Sequence, residues 1–308
     1  MPPIITPIIT CRNLSHSYEE IIALESIDLS VNRGELFGLI GPDGAGKTSL
    51  FRILASLTEH VSGEVKVLGF DPSKQYKEIR KRIGYMPGRF SLYHDLTVEE
   101  NLNFYAAVFG NDVSANYHLI SDIFDQLAPF KKRRAGKLSG GMKQKLALSC
   151  ALIHKPELLI LDEPTTGVDA VSRIEFWDVL SRLKESGMTI LVSTPYMDEA
   201  KRCDRIALMQ KGRILMVDSP DGVSESFDGK LMEVRSENRF RLLELLKMYK
   251  GSQAAYLFGQ SIHLVTRDGR ADEIYSYLKD SGIDDAELQD ISPSVEDCFI
   301  QLMGGKDD

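Results

Sequence analysis

"LFGLIGPDGAGKTSLFRIL", Leu36 to Leu54, decides how the chain reads. Leu36 to Ile40 form an apolar run of the length of one buried strand. From Ser49 onward, Leu50, Ile53, Leu54 and Leu57 recur at helical spacing. Between strand and helix, Gly41-Pro42-Asp43-Gly44-Ala45-Gly46-Lys47-Thr48 fits G-x-x-x-x-G-K-[ST]. Glycines let such a backbone curl until successive N–H groups point at one centre, and the helix that follows adds a partial positive charge there. The centre suits phosphate groups: Lys47 would reach the β- and γ-phosphates of a nucleotide, and Thr48 would hold Mg²⁺.

Working outward, "PELLILDEPTTG" (Pro156 to Gly167) holds a second apolar strand, Leu158 to Leu161, ending in two carboxylates. Asp162 suits Mg²⁺, and Glu163 beside it is placed to polarise a water for attack on a γ-phosphate. A third strand lies in "MTILVSTP" (Met188 to Pro195). Continuous apolar strands alternating with helical patterns indicate an α/β fold with a mostly parallel sheet. Such sheets bind ligands outside the carboxyl ends of their strands, which is where all three stretches put their polar residues. The third delivers Pro195, which has no backbone N–H and nothing to donate.

The chain has 308 residues, a length that suggests about two domains. Apolar residues make up 43% and charged residues 27%, the balance of a soluble globular protein. A net charge of −8 argues against a nucleic-acid partner or a general coat on an anionic membrane. The four cysteines, Cys11, Cys150, Cys203 and Cys298, contain no CxxC pair, so neither zinc nor redox motifs are indicated and a reducing compartment fits. "MPPIITPIIT" has no basic n-region and carries three prolines, a poor signal peptide. No apolar run approaches the roughly 20 residues that span a bilayer.

"SPDGVSESFDGK" (Ser219 to Lys230) is rich in Gly, Ser and Asp and reads as a linker. It separates a first domain over 1–225 from a second over 229–308. The second reads as strand (Leu231–Val234), helix (Arg239–Met248), strand (Ala254–Phe258), strand (Ser261–Val265), helix (Ala271–Lys279) and strand (Asp285–Gln289). That order, βαββαβ, is the ferredoxin-like α+β unit. A last helix starts near Ser292.

"KLSGGMKQKLALSCALIHKPELLILDEPTTGVDA" (Lys137 to Ala170) goes further: here the chain resembles the ATP-binding cassette (ABC) family, over roughly Ile9 to Asp218. The resemblance implies a P-loop NTPase cassette with a helical signature subdomain, binding ATP with Mg²⁺. It places the nucleotide against Gly41, Pro42, Asp43, Gly44, Ala45, Gly46, Lys47, Thr48 and Ser49, the metal at Thr48 and Asp162, and catalysis at Glu163. Tyr18, in "LSHSYEEIIALESI", matches the aromatic residue that stacks on adenine. "LSGGMKQK" matches the family signature, so Ser139, Gly140 and Gly141 act in trans on ATP held by a second cassette chain. Asp169 matches the loop that meets that chain.

Two positions depart from the pattern. Gly88, in "IGYMPGRFSLYHDLTVEENL", stands where the family usually has a glutamine. Pro195 stands where it usually has a histidine that bonds the γ-phosphate. Both fall on the side of the site that this chain builds for its own ATP, while its signature is intact. The asymmetry favours a heterodimer with a second cassette that keeps both residues; a homodimer remains the alternative. The tail "ISPSVEDCFIQLM" (Ile291 to Met303) is similar to the end of accessory domains on exporter ATPases. The resemblance thus implies an ATPase subunit that drives a transmembrane permease in export, with a slow site of its own; it would lie in the cytoplasm, peripheral on the inner face of the cell membrane. The surface from Gly88 to Leu96, with Arg89, Phe90 and Tyr93, would receive the permease. Two other classes stay open: a soluble cassette ATPase acting on ribosome or DNA, disfavoured by a single cassette without a heptad run, and a non-hydrolysing regulatory subunit, disfavoured by Glu163.

Overall fold

Unbroken Val/Ile/Leu runs suit strands covered on both faces, and Leu36–Ile40, Leu158–Asp162 and Thr189–Thr194 fold as strands with every residue buried. The computed structural model describes residues 7–89 and 91–304, so the N-terminal residues 1–6 of the signal-peptide reading and Phe90 lie outside the described residues. The chain divides into two units after Pro220.

The strands of the first unit are β1 (Pro7–Tyr18), β2 (Ile21–Asn32), β3 (Leu36–Ile40), β4 (Ser62–Val67), β5 (Ile83–Met86), β6 (Leu158–Asp162), β7 (Thr189–Thr194), β8 (Arg205–Gln210) and β9 (Arg213–Asp218). One sheet has the order β2-β1-β4 and is antiparallel. The other has the order β5-β6-β7-β3-β8-β9 and is parallel up to β9, which runs antiparallel to β8. Its register pairs Ile40 with Thr194 and Asp162 with Ser193, so the polar ends of β3, β6 and β7 meet at one edge. Leu14 and Leu24 of the first sheet share a core with Leu50, Phe51 and Leu54 of helix Lys47–Leu54 and with Ile160 and Leu191 of the second.

That helix stops at Leu54, short of the expected apolar face through Leu57. Ser56 turns left-handed (φ 57°), the Leu57 N–H folds back to Arg52 O, and the Leu57 side chain is exposed. Three further helices position the site. Val98–Val108 opens with a capping box between Thr97 and Glu100, Gly140–Leu152 is capped by Ser139, and Ala170–Glu185 is capped by Asp169.

In the second unit, β10 (Lys230–Arg235), β11 (Ser252–Phe258), β12 (Ser261–Thr266) and β13 (Glu287–Asp290) form an antiparallel sheet of order β11-β12-β10-β13. Helices Arg239–Met248 and Ala271–Asp280 complete the βαββαβ order, and Leu242, Leu246, Ile274 and Leu278 pack with Val234, Ile262 and Leu264. β13 starts at Glu287 rather than Asp285, because the Asp285 carboxylate accepts from Ser236 and from the Glu237 N–H. The linker stretch holds a short helix, Pro220–Glu225, where composition indicated loop. Proline suits the first helical position, and Val223 is buried with its carbonyl accepting from the Cys298 thiol at 3.1 Å. The terminal helix Val295–Gly304 starts from Ser294. Asp297 accepts there from Ser294 N–H (2.8 Å), Tyr256 OH (2.9 Å) and His263 Nδ1 (2.6 Å).

Candidate functional site

The glycine-rich loop leaves β3 and turns at Gly44 (φ 77°) and Gly46 (φ 106°), conformations that favour glycine. Gly41 is required for another reason: a β-carbon there would lie 2.2 Å from Met209 O on β8. Helix Lys47–Leu54 begins at once, with no acidic residue in its first turn, so its N-terminal charge is open to an anion. Lys47 is buried, and its ammonium donates to Gly41 O (2.7 Å) and Pro42 O (3.0 Å) and pairs with Glu163 at 3.1 Å. Ala45 is buried, Pro42, Thr48 and Ser49 are half-buried, and Asp43 and Gly44 are exposed.

The acidic pair sits on the end of β6. Asp162 is 2% exposed and accepts from Ser193 Oγ at 2.8 Å. Glu163 has φ 48°, and its N–H donates to Ser193 Oγ (2.9 Å) and Ser193 O (3.2 Å). Lys47, Glu163 and Asp162 are thus brought together as the sequence indicated. An ammonium, a helix N-terminus, a hydroxyl at Thr48 and a buried carboxylate are a donor set that fits a magnesium–triphosphate: Thr48 and Asp162 would hold the cation as hard oxygen ligands.

Both departures abut this group. The Gly41 N–H donates to Thr194 O at 3.3 Å, so Pro195 directly follows a residue joined to the phosphate loop. At Gly88, an added β-carbon would lie 3.2 Å from Asp162 O and 3.9 Å from Asp162 Cγ; the backbone passes close to the carboxylate with no side chain to extend toward it.

Sequence reasoning missed what anchors this edge. Glu199 is 3% exposed and accepts from Thr165 Oγ1 (2.9 Å), Arg173 Nε (3.1 Å) and Thr194 Oγ1. The Arg173 guanidinium also covers the Tyr196 ring, 4.2 Å from its centroid. The loop after Glu163, the end of β7 and helix Ala170–Glu185 are tied through one buried carboxylate. The signals were single polar letters, Ser193 and Thr194 closing an apolar run and Glu199 in "MDEA".

The signature residues lie elsewhere. Ser139 Oγ accepts from the Met142 N–H at 3.4 Å, and Ser139 and Gly140 are exposed. They rest on the 167–172 stretch: a β-carbon at Gly140 would sit 3.2 Å from Gly167 O, and one at Gly141 would sit 2.6 Å from Ser172 Oγ. Asp169 accepts from the Ser172 N–H at 3.0 Å, a bond that holds its carboxyl below the usual range. Tyr18 ends β1, 39% exposed, edge-on to His16 with centroids 4.6 Å apart. Its hairpin partner β2 packs on the phosphate loop, since a β-carbon at Gly46 would meet Ala23 O at 2.6 Å.

Beside Gly88 opens a cavity of about 200 Å³, lined by Tyr85, Met86, Pro87, Leu92, Tyr105 and Phe109 among others. Burial, helped by the Asp162 charge, pushes the Tyr85 hydroxyl up to about 12. Arg89 is exposed; Tyr93 is half-exposed and edge-on to Phe104 at 4.9 Å. Among the described residues no helix is long and apolar enough to cross a membrane.

Residues 24–166 match the family described as "ABC transporter". The chain is 40% identical over 288 residues to the probable multidrug ABC transporter ATP-binding protein YbhF of Escherichia coli, covering 92% of this chain and 49% of that protein; it spans about half that relative's length. It is 34% identical to the Nod factor export ATP-binding protein I of a Rhizobium species, over 96% of this chain and 97% of the other. It is also 34% identical to a daunorubicin resistance ATP-binding protein of Streptomyces coeruleorubidus, over 93% and 92%. A solved structure described as the ATP-binding subunit of an ABC transporter superposes with a TM-score of 0.65 at 27% identity, over 71% of this chain and 93% of that one. A dimeric ATP-binding cassette bound to ADP and Pi shares the fold, with a TM-score of 0.63 at 24% identity, over 68% and 98%.

Proposed function

The chain belongs to the family of ABC transporter ATPases, and on that premise we propose that it is the nucleotide-binding subunit of an exporter whose own ATP site turns over slowly. It binds ATP with Mg²⁺ through the Gly41–Ser49 loop, Thr48 and Asp162, and lends Ser139, Gly140 and Gly141 to the ATP of a second, different cassette. Tyr18 stacks on adenine, Asp169 meets the second chain, and the pair drives a membrane permease from the cytoplasmic face. The second domain is an accessory domain of the exporter type. Export is supported by the names of the multidrug, Nod factor and daunorubicin resistance relatives. A cassette partner is supported by the exposed Ser139 and Gly140, and by the multidrug relative, whose unmatched half has the length of another such chain. Permease docking is supported by the apolar cavity beside Gly88 and the exposed Tyr93.

The observation that carries the slow site is local. Lys47, Asp162 and Glu163 converge, yet Gly88 and Pro195 bring no hydrogen-bonding side chain to the same edge. Removing one preorganised donor to developing charge typically costs about 10²–10³ in rate. In the reconstituted complex, Gly140→Asp places a carboxylate against the second cassette's γ-phosphate and removes most ATPase activity. Glu163→Gln leaves most of it. Equal losses from the two variants mean two equivalent sites and overturn the asymmetric reading.

A further inference from the structure

A hydroxyl near the end of a fully buried strand is out of place in an apolar run. Ser193 is such a residue, 0% exposed, last but one in β7 beside the equally buried Thr194, and in register with Asp162. We propose that Ser193 is the positioning residue of the acidic loop, setting Asp162 for the cation and Glu163 for the attacking water with one hydroxyl. The proposal rests on the reading of this edge as a magnesium–ATP site.

A serine hydroxyl has one hydrogen to give and lone pairs to accept with. Its hydrogen goes to Asp162 Oδ1 at 2.8 Å, which fixes the rotation of a carboxylate that is itself almost wholly buried. Its oxygen accepts the Glu163 N–H at 2.9 Å, and the Ser193 carbonyl accepts the same N–H at 3.2 Å. Glu163 needs that support, because a left-handed backbone (φ 48°) at a non-glycine residue persists only where its surroundings impose it. Held in that turn, the Glu163 carboxylate stands 3.1 Å from the Lys47 ammonium. Neither an alanine nor a valine at position 193 can both donate to Asp162 and accept from Glu163. With no side chain reaching in from Gly88 and no donor at Pro195, Ser193 is the group on β7 that keeps both carboxylates oriented. Groups that orient metal ligands typically shift metal affinity by about 10–100-fold when removed.

The test is a Mg²⁺ titration of ATP affinity on the purified full-length chain, alongside ATP binding in EDTA and the unfolding temperature. Ser193→Ala is expected to raise the Mg²⁺ concentration that half-maximally tightens ATP binding by about 10–100-fold, with ATP binding in EDTA unchanged. Ser193→Thr, which keeps the hydroxyl, is expected to return toward the wild-type requirement. Should the alanine variant not fold, Ser193→Cys, similar in size but a weak donor, carries the same comparison. A wild-type Mg²⁺ requirement in the alanine or cysteine variant overturns the proposal. So does an equal loss of affinity in EDTA, or a threonine variant as impaired as alanine, since both assign the effect to packing. A wild-type chain that binds ATP in EDTA but gains nothing from Mg²⁺ overturns the reading of the site itself, a separate result from any difference among the Ser193 variants.

Discussion

Two glycine-rich helix starts in this chain, both proposed above to meet phosphate, are held in different ways. At the phosphate loop, Gly44 and Gly46 supply left-handed backbone, Lys47 is buried among loop carbonyls, and no side chain caps the helix. At the signature, Ser139 caps its own helix through Met142, and Gly141 is needed because Ser172 packs against it. The first leaves its helix start uncapped and its ammonium on loop carbonyls, which suits the ligand proposed for it. The second is organised by its neighbours in the chain, with Ser139 and Gly140 left exposed to whatever approaches. Glycine therefore means conformation in one motif and close approach in the other, although the letters look alike.

The largest expected effect separates the two directly. Lys47→Ala removes the ammonium from the loop and is expected to weaken ATP binding by about 1.5–3 kcal/mol, the scale of a hydrogen bond to a charged group. Ser139→Ala, tested on the same isolated chain, is expected to leave ATP affinity unchanged, since Ser139 does not stand with Lys47 and Glu163. Calorimetric titration of both variants checks this. Comparable losses from the two would erase the distinction between a ligand site and an outward-facing one.

A smaller effect sharpens the distinction in stability. Gly141→Ala drives a β-carbon to within 2.6 Å of Ser172 Oγ and 2.8 Å of Ser172 Cβ. Overpacking of this kind costs about 1–3 kcal/mol, read as a lower urea midpoint. Ser172→Ala removes the nearer atom, so the double variant is expected to recover part of the loss. The single changes are then non-additive, as contacting residues usually are. Strict additivity would show that Gly141 serves something other than this contact.

What was legible in the sequence follows the same physics. The phosphate loop, Asp162–Glu163 and the buried strands are contiguous patterns, and they appear where periodicity and turn chemistry put them. The polar scaffold of the site is made across strands. Ser193 meets residues 30 and 31 positions away, and Glu199 meets Thr165, 34 positions away; no spacing rule marks such pairs in advance. Leu57 shows the opposite failure. Its helical period is real, yet the left-handed Ser56 ends the helix before Leu57 can use it. In the linker, the glycine and serine content concealed a turn of helix that Pro220 starts and buried Val223 anchors.

The smallest effect concerns the far ends of the same two helices. The phosphate-loop helix has Arg52 in its last turn, a charge that suits a helix C-terminus. The signature helix is followed by His154, whose imidazole stacks on Phe109 (3.8 Å, 7°) and donates from Nε2 to Ile83 O at 2.9 Å. That bond leaves Nδ1 as the bare nitrogen, and it is buried with no partner. Protonating it would bury a second N–H that has no acceptor. Burial accordingly lowers the His154 pKa below its ordinary 6.5, against the opposing pull of the Ile83 carbonyl. Between the folded and unfolded values the unfolded chain binds more protons, so stability rises with pH there. The His154 contribution is complete above about 6.5 and is lost as pH falls from 6.5 toward the folded value. Going from roughly pH 7.5 to roughly pH 5.5, the wild-type urea midpoint is expected to fall further than that of His154→Gln, whose amide can still donate to Ile83 O but does not titrate. Parallel falls in the two proteins would place the pH sensitivity in other groups, and would leave the signature helix held at both ends by contacts indifferent to pH.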